Sequence, residues 1–259
     1  MRCAIVQYTK QHAECIGLVV EFILKAYKCS QIDVLLFEKD FLGKGWFDFF
    51  KLNYSGIVNL VQIYEISTIY DVHFFLTSTD YLLCSSLKYK QCIGLVHQNG
   101  KEILTDGFRN ICISPLINCE IIPYKFKFML EPKQSIFYPE IPFFVTGWQE
   151  HLNLFELNKV LKKHDLKCLY ISKRYETHEI FSHLIFCERV DTLYIIDCFL
   201  HKTCILVPKE DGAYFNERIS GSIHLCASFG TRLLLPDKLN NIYPGNTNFL
   251  SYECFEELA

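Results

Sequence analysis

"FNERISGSIHLCASFGTRLLLP", residues 215 to 236, runs from a charged pair through small residues into an apolar segment that stops at glycine. Ser220 suits an N-cap and Gly230 the position just past a helix end, while Ile219, Ile223, Cys226 and Ala227 form an apolar stripe. The spacing predicts a helix of about two and a half turns over 219–229, set between the strands "TCILVP" (203–208) and "RLLLP" (232–236). Gly221 brings no Cβ and Ser222 adds a hydroxyl, so the first turn is expected to leave backbone N–H groups accessible. Together with the positive end of the helix dipole, worth about 0.3–1 kcal/mol at exposed positions, such amides suit a phosphate. Arg218 could grip it through two hydrogen bonds, and Glu217 could accept from ribose or sugar hydroxyls. The same residues also suit an ordinary capped helix with a surface Glu–Arg pair.

The pattern extends in both directions. "CAIVQY" reads as a buried strand, "HAECIGLVVEFILKAYKC" as a helix and "IDVLLFEK" as a second strand, a β-α-β opening. "GIVNLVQIY", "VHFFLTST", "CIGLVHQ" and "NICISPL" continue as strands, with "GWFDFFKLNY" and "DYLLCSSLKY" as helices between some of them. Pro123, Pro132, Pro139 and Pro142 crowd into twenty residues and mark a link, because proline removes a donor and disfavours helix before it.

After the link the rhythm restarts with "PFFVTG" as strand, "EHLNLFELNKVLKKH" as helix and "KCLYISK" as strand. "HEIFSHLIF" fits helix or strand, and "TLYIIDCF" stays undecided. Two α/β halves follow, a first domain over 1–130 and a second over 141–245, with 246–259 expected as a helix returning to the first half.

Half of the 259 residues are hydrophobic and 21% charged, which favours packed layers over disorder. A net charge of −3 gives no electrostatic reason for a nucleic-acid partner. Lys159, Lys162, Lys163 and Lys167 have helical spacing and read as a solvated face. The thirteen cysteines include no C-x-x-C pair, so they read as reduced core thiols of a cytoplasmic protein. No apolar run reaches the roughly 20 residues of a transmembrane helix. The abundance of Phe, Tyr, Ile, Lys and Cys points to an AT-rich genome, such as that of a large DNA virus or a protist.

Tyr214, Arg218, Ile219, Ser220, Gly221 and Ser222, followed by Leu225, Ala227, Ser228, Phe229, Gly230 and the apolar Leu233 to Pro236, resemble the carboxyl-half signature of GT-B glycosyltransferases. The resemblance is sharp over about twenty residues and extends loosely to both halves. It implies two Rossmann-like domains facing a cleft, the first binding an acceptor and the second a nucleotide-sugar donor, with no obligatory metal and no cofactor. Arg232 stands where the signature usually has proline, and Leu225 where many members carry the second glutamate of an E-x7-E pair.

Gly147 ends the strand "FFVTG", and Lys173 and Arg174 come after the next one; with Glu217, Arg218, Ser220, Gly221 and Ser222 they are the donor-binding candidates. Transfer to a glycan or other hydroxyl acceptor needs a base when configuration is inverted. His12, His97 and Asp80 follow strand-like runs and are the candidates. No aspartate-x-aspartate motif is present, the nearest imitation being Asp71-Val72-His73, which favours GT-B over the metal-dependent GT-A architecture. The competing reading is a GT-B-like module that binds nucleotide sugars, or a partner, without catalysis.

Overall fold

Short apolar runs become strands buried on both faces, as parallel sheets covered by helices require. "CAIVQ", "CIGLV" and "CLYIS" bury every residue. The computed structural model describes residues 1–7, 12–36, 44–62, 69–77, 91–96, 109–113, 117, 119–122, 125–130, 137–147, 149–172, 181–188, 190–210, 215, 220–243 and 246–258. The chain divides into two units, Met1–Leu130 and Glu131–Ala259. The predicted helix "DYLLCSSLKY" lies outside the described residues.

The first unit contains β1 (Cys3–Gln7), α1 (Ile16–Tyr27), β2 (Ile32–Leu36), α2 (Lys44–Asn53), β3 (Val58–Gln62), β4 (Val72–Phe75), β5 (Cys92–Val96), β6 (Arg109–Cys112) and β7 (Glu120–Ile121). All its described strand pairs are parallel, in the order β3-β2-β1-β4-β5-β6-β7. α1 buries Ile16, Leu18, Val19, Val20, Phe22 and Ile23, each contributing about 1.5–3 kcal/mol of transfer free energy. Gly17 lets α1 approach its neighbours closely, because a Cβ there would stand 2.5 Å from a Phe50 ring carbon and 2.7 Å from one of Phe126. The segment before the division is strapped to this unit. Asn53 donates to Lys127 O at 2.8 Å and accepts from Met129 N at 2.8 Å, while Glu21 accepts from Lys127 N at 3.0 Å.

The second unit contains β8 (Phe143–Thr146), α3 (Leu154–Lys163), β9 (Cys168–Ser172), β10 (Leu184–Glu188), α4 (Thr192–His201), β11 (Thr203–Ile205), α5 (Gly221–Phe229), β12 (Leu233–Pro236), α6 (Asp237–Ile242) and β13 (Phe249–Tyr252). Its strands are also parallel, in the order β10-β9-β8-β11-β12-β13. α3 turns Leu154, Leu157, Val160 and Leu161 into a core shared with Val145, Tyr170 and Leu184. Lys159, Lys162, Lys163 and Lys167 lie exposed, as a solvated face should. The undecided "TLYIIDCF" is helical because Asp191 caps it, accepting from Tyr194 N at 2.8 Å. "HEIFSHLIF" resolves as strand in its described last residues.

The closing segment departs from the expected helix. Residues 249–252 add an edge strand to the second sheet, beside β12. Tyr252 donates its hydroxyl to Leu206 O at 2.8 Å, and Leu258, in the 3-10 turn Phe255–Leu258, joins the same core as α3. Phe249 and Tyr252 fall on buried positions of this unit, so these residues form a strand where a helix was expected.

Candidate functional site

In an open parallel sheet the crevice lies at the carboxyl edge where the chain reverses its direction of winding. In the second sheet that point is between β8 and β11: the chain winds outward through β9 and β10, then returns to pair β11 with the other side of β8. α5 is the crossover from β11 to β12, so it runs back along the sheet and begins at the carboxyl edge. The caps read from sequence are formed. Ser220 Oγ accepts from Ser222 N at 3.3 Å, and Gly230, at φ 71°, donates its N–H to Cys226 O.

This cap narrows the expected anion site. Ser220 and Ser222 are buried, and the Ser222 amide is taken by the cap, whereas Gly221 is partly exposed. The Gly221 amide stands at the first helical position, where no intrahelical acceptor exists. Gly147 follows β8 with φ 138°, a conformation L side chains rarely adopt, and its carbonyl accepts from the Tyr170 hydroxyl at 3.0 Å. The topology thus brings Gly147, Ser220, Gly221 and Ser222 to one edge of one sheet. Lys173, Arg174, Glu217 and Arg218 lie outside the described residues.

Sequence reasoning gave no sign of how the chains leaving β8 and β11 are joined. Asn153 N donates to Val207 O at 2.7 Å, Lys209 N to His151 O at 3.1 Å, and Leu152 bridges Pro208. Backbone carries these ties, so no side-chain pattern announces them.

The first sheet reverses between β1 and β4. His12 comes soon after β1, in the left-handed conformation (φ 63°, ψ 22°), and its carbonyl accepts from Cys15 N at 2.9 Å. His12 Nδ1 lies 3.7 Å from Glu14 Oε1. Burial and the neighbouring Glu14 carboxylate push the Cys15 thiol well above its usual range. Glu14 and Cys15 were not among the sequence candidates, although three ligand-type side chains within four positions at a strand-to-helix junction was the available signal. His97 and Asp80 lie outside the described residues.

The described cysteines are free thiols. Burial pushes Cys3 and Cys198 up to about 12, so these two stay protonated at neutral pH. Among the described residues, no helix is long and apolar enough to cross a membrane.

Neither a protein-family model nor a curated protein matches the chain. Solved structures do. The ADP-heptose LPS heptosyltransferase II of E. coli superposes with TM-score 0.54 at 8% identity, over 97% of this chain and 89% of that one. A glycosyltransferase from Rickettsia africae gives TM-score 0.53 at 10% identity, over 100% and 86%. Anabaena HepE, solved in complex with UDP, gives 0.52 at 9%, over 99% and 87%. At such identities the likeness speaks to architecture alone, and that architecture, two α/β units each built on a parallel sheet, is the fold of the GT-B glycosyltransferases.

Proposed function

We propose that this chain transfers a sugar from a nucleoside diphosphate carrier to a hydroxyl group of a glycan or other acceptor. The observation that carries the reading is the start of α5 at the carboxyl edge of the second sheet, in a fold of this type. The E. coli neighbour is named for ADP-heptose and the Anabaena neighbour was solved with UDP, so a nucleoside diphosphate is the chemistry they share.

In this reading the Gly221 amide and the dipole of α5 hold a phosphate oxygen, and Gly147 lets the diphosphate pass close to the backbone. Arg218, two positions before Ser220, adds a charge-assisted contact, with Lys173 and Arg174 after β9 as further cations. Glu217 accepts from sugar or ribose hydroxyls. As the bond from the anomeric carbon to the diphosphate oxygen breaks, these donors stabilise the charge that develops there, so no metal is needed at the diphosphate. The acceptor oxygen forms the new bond, and in an inverting course its proton goes to a base. His12 is the favoured candidate because Glu14 lies 3.7 Å from its Nδ1 and would stabilise the imidazolium; His97 and Asp80 are the rivals.

Incubation with ADP-, UDP- and GDP-sugars, followed by measurement of released diphosphate and transferred sugar, tests the proposal. One donor should be turned over, and its diphosphate should raise the melting temperature. Stabilisation by a diphosphate without turnover would identify a nucleotide-sugar-binding module, and the absence of both would remove the reading.

A further inference from the structure

We propose that His12, Glu14 and Cys15 form a binding site for a divalent metal ion of the zinc class. The imidazole, carboxylate and thiol ligand atoms all lie within 4.8 Å of one another. A tetrahedral zinc ion with bonds of about 2.0–2.3 Å holds its donors about 3.3–3.6 Å apart. The pair His12 Nδ1 and Glu14 Oε1, at 3.7 Å, is already near that spacing, so small side-chain rotations complete the set.

The backbone prepares this arrangement. His12 adopts φ 63°, sparsely populated for a residue with a side chain, and its carbonyl is tied to Cys15 N. That tight turn gathers three ligand-type residues at the reversal point of the first sheet, where the fold places ligands. Cys15 is buried while His12 and Glu14 are partly exposed, so the ion would be anchored on the protein side and keep an outward position for water.

Ligand type selects the metal. Calcium and magnesium prefer all-oxygen sets, whereas one thiolate, one imidazole and one carboxylate suit a borderline ion. On binding, the thiol proton passes to solvent and a sulfur–metal bond forms; thiolate and carboxylate then balance the ion's two charges. The amino-terminal end of α1 favours those anionic ligands. The inference stands apart from the transfer reading but bears on it, because a metal-held imidazole nitrogen has no lone pair with which to take a proton. Zinc would therefore restrain any reaction in which that nitrogen is the base.

Cobalt(II) titration of the reduced, chelator-treated full chain tests the site without donor or acceptor. The expected result is one ion per chain, with a thiolate-to-cobalt charge-transfer band and the intense visible bands of tetrahedral cobalt, both bleached by zinc. Cys15→Ser should abolish the charge-transfer band, and His12→Gln and Glu14→Gln should each weaken binding at least about tenfold. Cys254→Ser, at an exposed thiol, should change nothing. Absence of the band, or its survival in Cys15→Ser, overturns the site. Should Cys15→Ser fail to fold, unchanged affinity in both substitutions at the partly exposed His12 and Glu14 overturns it equally.

Discussion

The two sheets share an arrangement and differ in what they place at its centre. Both run two strands outward from a central strand, β1 or β8, then return to its other side, so each creates a reversal point at its carboxyl edge. In the first unit that point is followed by ionisable groups, His12, Glu14 and Cys15. At that edge of the second sheet the described residues are Gly147, Ser220, Gly221 and Ser222, which offer backbone and hydroxyl donors. In the proposals made above, topology sets where a ligand goes and local sequence sets its chemistry: proton or metal handling in one unit, anion binding in the other.

Four outcomes break or sharpen this contrast. The largest effect is expected from Gly17→Val, which drives a side chain into the Phe50 and Phe126 rings and should lower the stability of the first unit by about 3 kcal/mol in urea unfolding. Nucleoside diphosphate affinity of the folded variant should stay unchanged; a parallel loss would show that the units do not divide the chemistry.

Next comes pH. Burial lowers the His73 pKa to about 4, against 6.5 in the unfolded chain. Between these values the unfolded state binds more protons, so stability is full above about 6.5 and falls as pH drops towards 4. The upper limit of the loss is about 3 kcal/mol. His73→Phe should flatten this slope, measured as the denaturation midpoint across the window; an unchanged slope would move the cause elsewhere.

Gly221→Val should cut diphosphate affinity by about 10–100-fold, because its side chain blocks approach to the main-chain amide, and Arg218→Ala by about tenfold, because it removes a charge-assisted contact, both read by calorimetry. The smallest change is expected from Ser220→Ala, which removes the cap on the Ser222 amide and should cost about 1 kcal/mol of stability.

Much of the fold was legible because parallel sheets demand continuous apolar runs: β1, β5 and β9 were plain from "CAIVQ", "CIGLV" and "CLYIS". Capping chemistry was legible too, since Ser220 and Gly230 act locally. Elements decided by tertiary burial were not. "TLYIIDCF" has apolar residues on several sides, five of which the helix Thr192–His201 buries in part or whole with Asp191 as its cap, and that spread hid the helical period. The closing residues became β13 because the edge of β12 offered a ladder and a core for Phe249 and Tyr252.

At the candidate site, sequence reading picked Gly221 and Ser222 as amide donors but did not foresee that Ser220 would take the second. Donor count at a helix start depends on cap geometry, which residue types alone do not fix. The His12 cluster matches neither C-x-x-C nor aspartate-x-aspartate spacing, because one strained turn gathers three different ligand types.

The central claim is that the start of α5 holds a diphosphate. Calorimetric titration of the intact chain and of Gly221→Val with UDP, ADP and GDP tests it most directly. The account predicts that at least one nucleotide binds the intact chain and that the folded variant loses at least about tenfold in affinity for it. Equal binding by both proteins, or none by the intact chain, would contradict it.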